Sequence, residues 1–449
     1  MVIWQKWQHR PVIVSFDDKS TIVGTIPFPA VTICSTNKFL EDKIDKDLFI
    51  ETLTAMNNDK MAYKRLTPKN LNRLDAILHV CLKELGNLVD GLVIPRTESI
   101  HKTIIEMSPD VNSVILFATF MITPELMTVN DDNRNVSHWN VEDGYDLHVD
   151  EIEIYPYRVF GAGLRDILSM VLGITVDNVH GICSELAQGF RLLLHLPDEL
   201  PRLPQYFVFI PIEQEIYISV KPNVITTSNG LRSYSPEERG CFFRSEHHLR
   251  FFKSYSQLKC EQECLANYTK NECGCVTFSM PRDKETKVCT MVDIRCYIDA
   301  SDRFAKDLMV KTCKCLPDCT SITYDLQISQ TPIQFFNSEG DIAHSNTKNE
   351  SSFETTTKLF IGFREHHFIS INRTESLTFA DFVASCGGLL GLFMGISLLS
   401  VIELIYYFTL RLCCKLRQQK PLRKHVPTWA KRTKFSAIKR QYQQRRIYY

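Results

Sequence analysis

CEQECLANYTKNECGC, residues Cys260 to Cys275, places cysteines at spacings of four and two within one short stretch. A spacing of four stacks two sulfurs on one helical face, and a spacing of two puts both on one face of a strand. The stretch belongs to a block formed by Cys241, Cys260, Cys264, Cys273, Cys275, Cys289, Cys296, Cys313, Cys315 and Cys319. Pairs set out in this way can be stapled in rungs, or they can hold zinc. The C-x2-C knuckles of zinc modules are absent. Cys34, Cys81 and Cys183 share the same part of the chain, as do N-x-S/T acceptor sites at Asn135, Asn267, Asn349 and Asn372. Oxidised, glycosylated and extracellular is the reading that fits both sets. Spacing alone leaves the connectivity open.

The charge pattern divides the 449 residues. Lys plus Arg and Asp plus Glu both number 52, but residues 411–449 carry 13 bases and no acid, leaving the body acidic. A basic tail behind an oily run is the cytosolic flank of a membrane helix and does not call for nucleic acid. The oily run spans about Phe379 to Leu410. Cys413 and Cys414 stand at its inner face, where palmitoylation and plain reduced thiols are both open. Residues 1–30 hold no signal peptide and no span of their own. The expectation is therefore an upstream signal-anchor helix, with residues 1–10 its outer end, an ectodomain over 11–377, a second span over 378–410 and a cytoplasmic tail over 411–449.

Within the ectodomain, VGTIPFPAVTIC (Val23 to Cys34) is β-rich, with Pro27 and Pro29 confining it to an edge or a strand entry. Leu71, Leu74, Ile77, Leu78, Leu82 and Leu85 keep helical register across Leu66 to Val93. Asn130 to Asp150 reads as exposed loop, whereas Gln205 to Ser228 and Lys358 to Ile371 read as strands. The fold class is α+β.

Gly387, Gly391 and Gly395 recur every four residues in the oily run and line up as one smooth ridge on a helix. Glu403 lies in the same run, where a carboxylate is costly unless it faces water, a partner or a cavity. On an unbroken helix Ser397 and Glu403 lie roughly 240° apart, at about 100° per residue. Either they serve different surfaces or the helix breaks between glycine and serine.

IPFPAVTIC (Ile26 to Cys34), CEQECLANYTKNECGCVTFSMPR (Cys260 to Arg282), CKCLPDCTSITY (Cys313 to Tyr324) and the G-x-S of the oily run resemble the degenerin and epithelial sodium channel family. Within it they are similar to the insect pickpocket branch. The likeness runs from residue 4 to about 412 in the family's order. It implies a palm, finger and thumb ectodomain, with residues 241–319 as the thumb-like block. The implied disulfides are Cys241–Cys319, Cys260–Cys315, Cys264–Cys313, Cys273–Cys296, Cys275–Cys289 and Cys34–Cys183, with Cys81 left over and Cys386 unassigned. The resemblance also implies a helix break, with Gly395, Ile396 and Ser397 as an extended filter of backbone carbonyls around a permeant Na⁺. Gly391 falls at the position of amiloride-type block, Ala384 at the degenerin gating position, and Glu403 at the glutamate just inside the filter. Leu389, Tyr406 and Tyr407 depart from the pattern, and the His-Gly gating motif is absent.

The implied function is a sodium-selective cation channel subunit of the plasma membrane, homo- or heterotrimeric, embedded in the lipid bilayer, gated through its ectodomain and needing no cofactor. A non-conducting regulatory subunit and a single-pass cell-surface receptor are the alternatives, and Gly395, Ser397 and Glu403 inside the membrane distinguish a pore from a receptor. No enzyme motif is present, and the lysine-rich pocket of an ATP-gated channel is missing. Glu246-His247-His248 and Glu365-His366-His367 lack metal-ligand spacing and read as surface.

Overall fold

The computed structural model describes residues 12–56, 58–59, 61–81, 94–96, 98–120, 139–140, 144–145, 157–163, 166–175, 187–201, 206–308, 313–333, 354–395 and 397–418. The chain forms two compact units, Met1–Ser376 and Leu377–Tyr449.

The first unit is built on β1 (Val12–Phe16), β2 (Ala30–Ser35), β3 (Ile115–Phe120), β4 (Leu168–Thr175), β5 (Gly189–His195), β6 (Val208–Pro211), β7 (Gln214–Thr227), β8 (Ser321–Pro332), β9 (Glu354–Phe363) and β10 (Ile371–Glu375). A seven-stranded sheet runs β1-β10-β7-β9-β4-β3, with β8 along the other side of β7. A three-stranded sheet runs β2-β5-β6. Alternation drives β7: Ile216, Ile218, Val220 and Val224 are buried while their neighbours are not. These residues share one apolar core with Leu359 and Ile361 of β9 and with Phe190 and Leu192 of β5. On one side β7 meets β9 in parallel from Glu215 to Val220 and β10 in parallel from Ile225 to Thr227. Pro222, which has no amide to offer a ladder, stands between those two pairings.

Three helices, α1 (Lys46–Met56), α2 (Pro68–Val80) and α3 (Ile100–Met107), form a second core around Phe49, Leu74, Ile77, Leu78 and Met107. Thr67 starts α2: its side chain accepts from the Asn70 amide, and Pro68 occupies the first turn. The expected register of Leu71, Leu74, Ile77 and Leu78 lies on this helix, while Leu82 and Leu85 lie outside the described residues. Val23–Thr25 is a single 3₁₀ turn, so the β-rich run reaches strand geometry only at Ala30, after both prolines. The expected loop over Asn130 to Asp150 contains a short antiparallel pair, Trp139–Asn140 with Gly144–Tyr145.

The thumb-like block is α4 (Gln257–Cys273) and α5 (Ile294–Arg303). Ser256 caps α4 by accepting from the Lys259 amide, and Gly274 ends it in the left-handed conformation at φ 71°. Five disulfides join it: Cys241–Cys319, Cys260–Cys315, Cys264–Cys313, Cys273–Cys296 and Cys275–Cys289. They are the five pairs that the resemblance implies for this block. The sixth expectation, Cys34–Cys183, is corrected. Cys34 is a free thiol. Its side chain leaves β2 on an exposed face opposite Arg191 of β5, whereas Cys81, fully buried at the end of α2, is disulfide-bonded. Cys183 lies outside the described residues.

One buried polar junction joins α2 to the thumb-like block. Arg96 Nε donates to Asp75 Oδ2 at 2.6 Å, and its Nη2 donates to the Cys289 carbonyl at 3.2 Å. His79 Nδ1 lies 2.8 Å from the Asp75 carbonyl, and Nε2 lies 3.1 Å from the Cys289 carbonyl. Burial holds the imidazole below its usual range. Replacing Arg96 by Met strands the buried Asp75 carboxylate and is expected to cost about 3–5 kcal/mol. Adding Asp75→Asn should recover part of that loss, and denaturant unfolding of the two variants reads the difference.

Candidate pore segment

Thr378 caps the first helix of the second unit. Its hydroxyl accepts from the Asp381 amide at 3.2 Å, and the Asp381 carboxylate accepts from the Thr378 amide at 3.1 Å, a reciprocal cap. Helix α6 follows, Phe379–Met394. Ala384 and Gly391 lie seven residues apart in it, about two turns, so they share one stripe with Gly387 and Gly388.

The helix stops at Gly395, whose φ of 63° is left-handed backbone that glycine adopts without strain. Its amide closes the last turn on the Gly391 carbonyl at 3.1 Å. Ser397 opens a new helix, α7 (Leu398–Ile405): its hydroxyl accepts from the Ser400 amide at 3.3 Å, and its carbonyl accepts from the Val401 amide at 3.2 Å. Ile396 lies outside the described residues. The break thus follows from a C-cap glycine and an N-cap serine two residues apart. The two halves are bent by 91°, and Ser397, as the N-cap, and Glu403 both belong to the second half, so the break parts the glycine stripe from the pair of them. A π-helical turn, Tyr406–Leu410, and helix α8, Arg411–Gln418, complete the segment, with the Arg411 guanidinium 4.7 Å from the centre of the Tyr407 ring.

No single described helix is long and apolar enough to cross a membrane, but the pair Phe379–Met394 and Leu399–Lys415 qualifies together. Leu392, Phe393, Met394 and Leu399 are all more than two-thirds exposed. Ala384, Gly391, Gly395 and Glu403 are exposed as well. A Cβ added at Gly387 or Gly388 would meet nothing within 4 Å. Among the described residues, nothing requires these two glycines to be small.

A second set of residues, invisible in the sequence, lies where the β2-β5-β6 side meets the thumb-like block. Arg244 pairs with Asp198 at 2.6 Å, and Asp318 accepts from the Gln257 amide at 3.2 Å. Burial, aided by the charges of Asp198 and Asp318, pushes Glu199 up to about 7. Burial raises Asp318 too. Their sequence separation, more than a hundred residues, hides the cluster from any local motif.

The histidine triads are not brought together. Glu246 engages Arg239 and accepts from the Phe243 amide at 2.9 Å, and His247 stacks on Phe242 at 4.9 Å. Glu365 lies 3.7 Å from Arg364. Among the described residues, no three His, Cys, Asp or Glu side chains are grouped to hold a metal. Asn267 is exposed on α4, whereas Asn372 on β10 is half-buried and its amide lies 3.5 Å from Asp17 Oδ1. Asn135 and Asn349 lie outside the described residues. Of the Cys residues near the span, Cys386, Cys413 and Cys414 are free thiols.

The first unit carries the disulfide ladder, and the second carries the glycine-broken apolar segment. The sequence profile described as "Amiloride-sensitive sodium channel" matches residues 1–407, and the chain belongs to that family, one of ion channels and not of enzymes. Pickpocket protein 28 of Drosophila melanogaster is 28% identical over 95% of this chain and 74% of its own length. Sodium channel protein Nach of the same species is 24% identical over 95% of this chain and 83% of its own. Acid-sensing ion channel 4-B of Danio rerio is 25% identical over 56% of this chain and 45% of its own.

The Glu199 carboxyl gives a pH signature. Its folded pKa is raised from 4.5 to about 7. The folded state therefore binds the proton more tightly than the unfolded one, and that stabilisation, full below about pH 4.5, is lost as pH rises through about 7. The thermal midpoint of the wild type should fall across this window by the equivalent of up to about 3 kcal/mol relative to Glu199→Gln, whose midpoint lacks this component.

Proposed function

We propose that the chain is a subunit of a trimeric, sodium-selective, amiloride-sensitive cation channel of the plasma membrane, gated through its ectodomain. The observation that carries this reading is the helix break at Gly395 and Ser397. A break frees backbone carbonyls from the helical ladder, and carbonyls at close quarters can replace the water around Na⁺ without a charged side chain. The extended filter would be Gly395, Ile396 and Ser397. Three copies, of this chain or of related subunits, would meet along the stripe of Ala384, Gly387 and Gly391, which would account for a small residue at Gly387, where an added Cβ meets nothing within 4 Å among the described residues. Glu403 would then face the ion path, where its charge is hydrated, and not the hydrocarbon. No cofactor is needed, because the permeant ion is itself the substrate.

The same reading sets the topology: residues 11–377 outside, 378–410 in the bilayer, and the basic tail over 411–449 in the cytoplasm. Gating through the ectodomain is supported by the covalent route from β10 into α6, in which Glu375 and Thr378 are three residues apart.

Expression of the chain, alone and with related subunits, should give an amiloride-sensitive Na⁺ current. Ser397→Ala is expected to reduce the preference for Na⁺ over K⁺ by about tenfold, equivalent to ~1.4 kcal/mol between the ions. Ala384→Val should increase the open fraction. Ordinary selectivity and gating in both variants would overturn the assignment of filter and gate. On the outer side, Asn267→Gln should remove one glycan from the electrophoretic mobility of the chain. Asn372→Gln should not, because that amide is held against Asp17.

A further inference from the structure

KMAYKRLTPKNLNR, residues Lys60 to Arg73, holds five bases and no acid, although the chain before residue 411 is acidic as a whole. Lys60 lies outside the described residues, and the structure turns the remainder of this run into one side of a charged face. Lys69 and Arg73 stand one turn apart on α2, and Lys102 and Glu106 one turn apart on α3. Lys69 Nζ and Arg73 Nη2 each lie 3.8 Å from Glu106 Oε1. A single carboxylate thus serves two cations, and Lys102 adds a third on the same side of α3. Just ahead of α2, Lys64 and Arg65 close the 3₁₀ turn Ala62–Arg65, and both are exposed. Lys64, Arg65 and Lys102 enter no ion pair among the described residues. The acids on either side of the run in sequence are engaged elsewhere: Asp59 accepts from the Met61 amide at 2.9 Å, and the buried Asp75 is held by Arg96.

Five cations gathered around one shared carboxylate leave a positive potential that a polyanion can neutralise. We propose that this face binds a sulfated polysaccharide, laid across the turn before α2 and the adjoining sides of α2 and α3, with its sulfates at Arg65, Lys69, Arg73 and Lys102. The cations are spread over three short elements and not gathered in a pocket. Such a strip suits anions repeated along a flexible chain, the way basic clusters take up heparin. The choice among polyanions rests on the topology proposed above, since a face outside the cell meets sulfated polysaccharide and not nucleic acid. The site belongs to the first unit alone, so it stands whether or not the chain conducts.

Lysine footprinting of the full chain in lipid nanodiscs tests this, with a heparin dodecasaccharide as the probe. The basic tail over 411–449 binds heparin on charge alone, so protection from acetylation is read residue by residue. The probe should protect Lys64, Lys69 and Lys102, while Lys284 of the thumb-like block keeps its rate, and the protection should fade as salt is raised. Hyaluronan, which carries carboxylates and no sulfate, should protect only at higher concentration. Lys64→Gln, Lys69→Gln and Lys102→Gln together should weaken binding at this face about tenfold, the combined worth of three exposed charge pairs, read as the probe concentration that protects the backbone amides of residues 62–73 from hydrogen exchange. Glu106→Gln should strengthen it about twofold by freeing Lys69 and Arg73, a gain that a merely structural role would not produce. Exposed pairs of this length contribute little stability, so the variants should keep the wild-type thermal midpoint. Protection confined to the tail, equal protection by hyaluronan or by polyglutamate, or a Glu106→Gln footprint no stronger than the wild type's would overturn the proposal, and the wild-type footprint decides even where a variant does not fold. The glycan at Asn267 reads the topology separately. A glycosylated chain with no footprint at this face overturns the site and spares the topology, whereas a footprint on a chain without that glycan overturns the sulfated partner.

Discussion

Strand β7 is the member on which the rest hangs. It is hydrogen-bonded to β8 along one side from Gln214 to Ile225, and on the other side first to β9 and then to β10. Each of those partners leads somewhere. β8 begins two residues after Cys319 and so carries the outermost disulfide of the thumb-like block. β10 pairs with β1, so the strand near the start of the described chain lies beside the one that leads into α6. A displacement of the thumb-like block at Cys319 therefore reaches β10 across a single shared strand. The alternate burial of Ile216, Ile218 and Val220 fixes the register, because a slip by one residue would turn those side chains out of the core.

Much of this was legible in the sequence, for reasons that differ from element to element. Helix α2 announced itself by the period of Leu71, Leu74, Ile77 and Leu78. The helix break was readable only as one of two options, since Ser397 and Glu403 could equally have served different surfaces of a continuous helix, and it was the likeness to the family that chose the break. The partners within the cysteine block came from likeness to a family, since spacing alone permits many pairings. The Cys34–Cys183 pairing came from the same likeness and not from the residues around Cys34, which the structure leaves as an exposed free thiol. Helix α2 ends in a fully buried Cys81, and that burial depends on how the helical layer packs.

What the sequence hid are contacts between residues far apart in the chain. His79 meets the Cys289 carbonyl across a separation of 210 residues, and Tyr324 reaches the Pro27 carbonyl across 297. No window of periodicity spans such distances. The same holds for Glu199, whose proton affinity is set by burial and by Asp318 on another element. The short pair at Trp139 and Tyr145 was hidden for the opposite reason: its residues are too few, and too polar around them, to stand out from loop.

The five disulfides of the thumb-like block close over sequence separations of 14, 23, 49, 55 and 78, each enclosing the one before. Their second cysteines, Cys289, Cys296, Cys313, Cys315 and Cys319, leave the ribosome in that same order. Once Cys275 and Cys289 are joined, the path from Cys273 to Cys296 is far shorter than the chain between them, and each later closure inherits such a shortcut. Loop-closure entropy grows with the length of free chain, so every rung is closed across a small loop although the last spans the whole block. An inner rung that is already closed thus lowers the entropic cost of the next one out, from Cys275–Cys289 to Cys241–Cys319 beside β8.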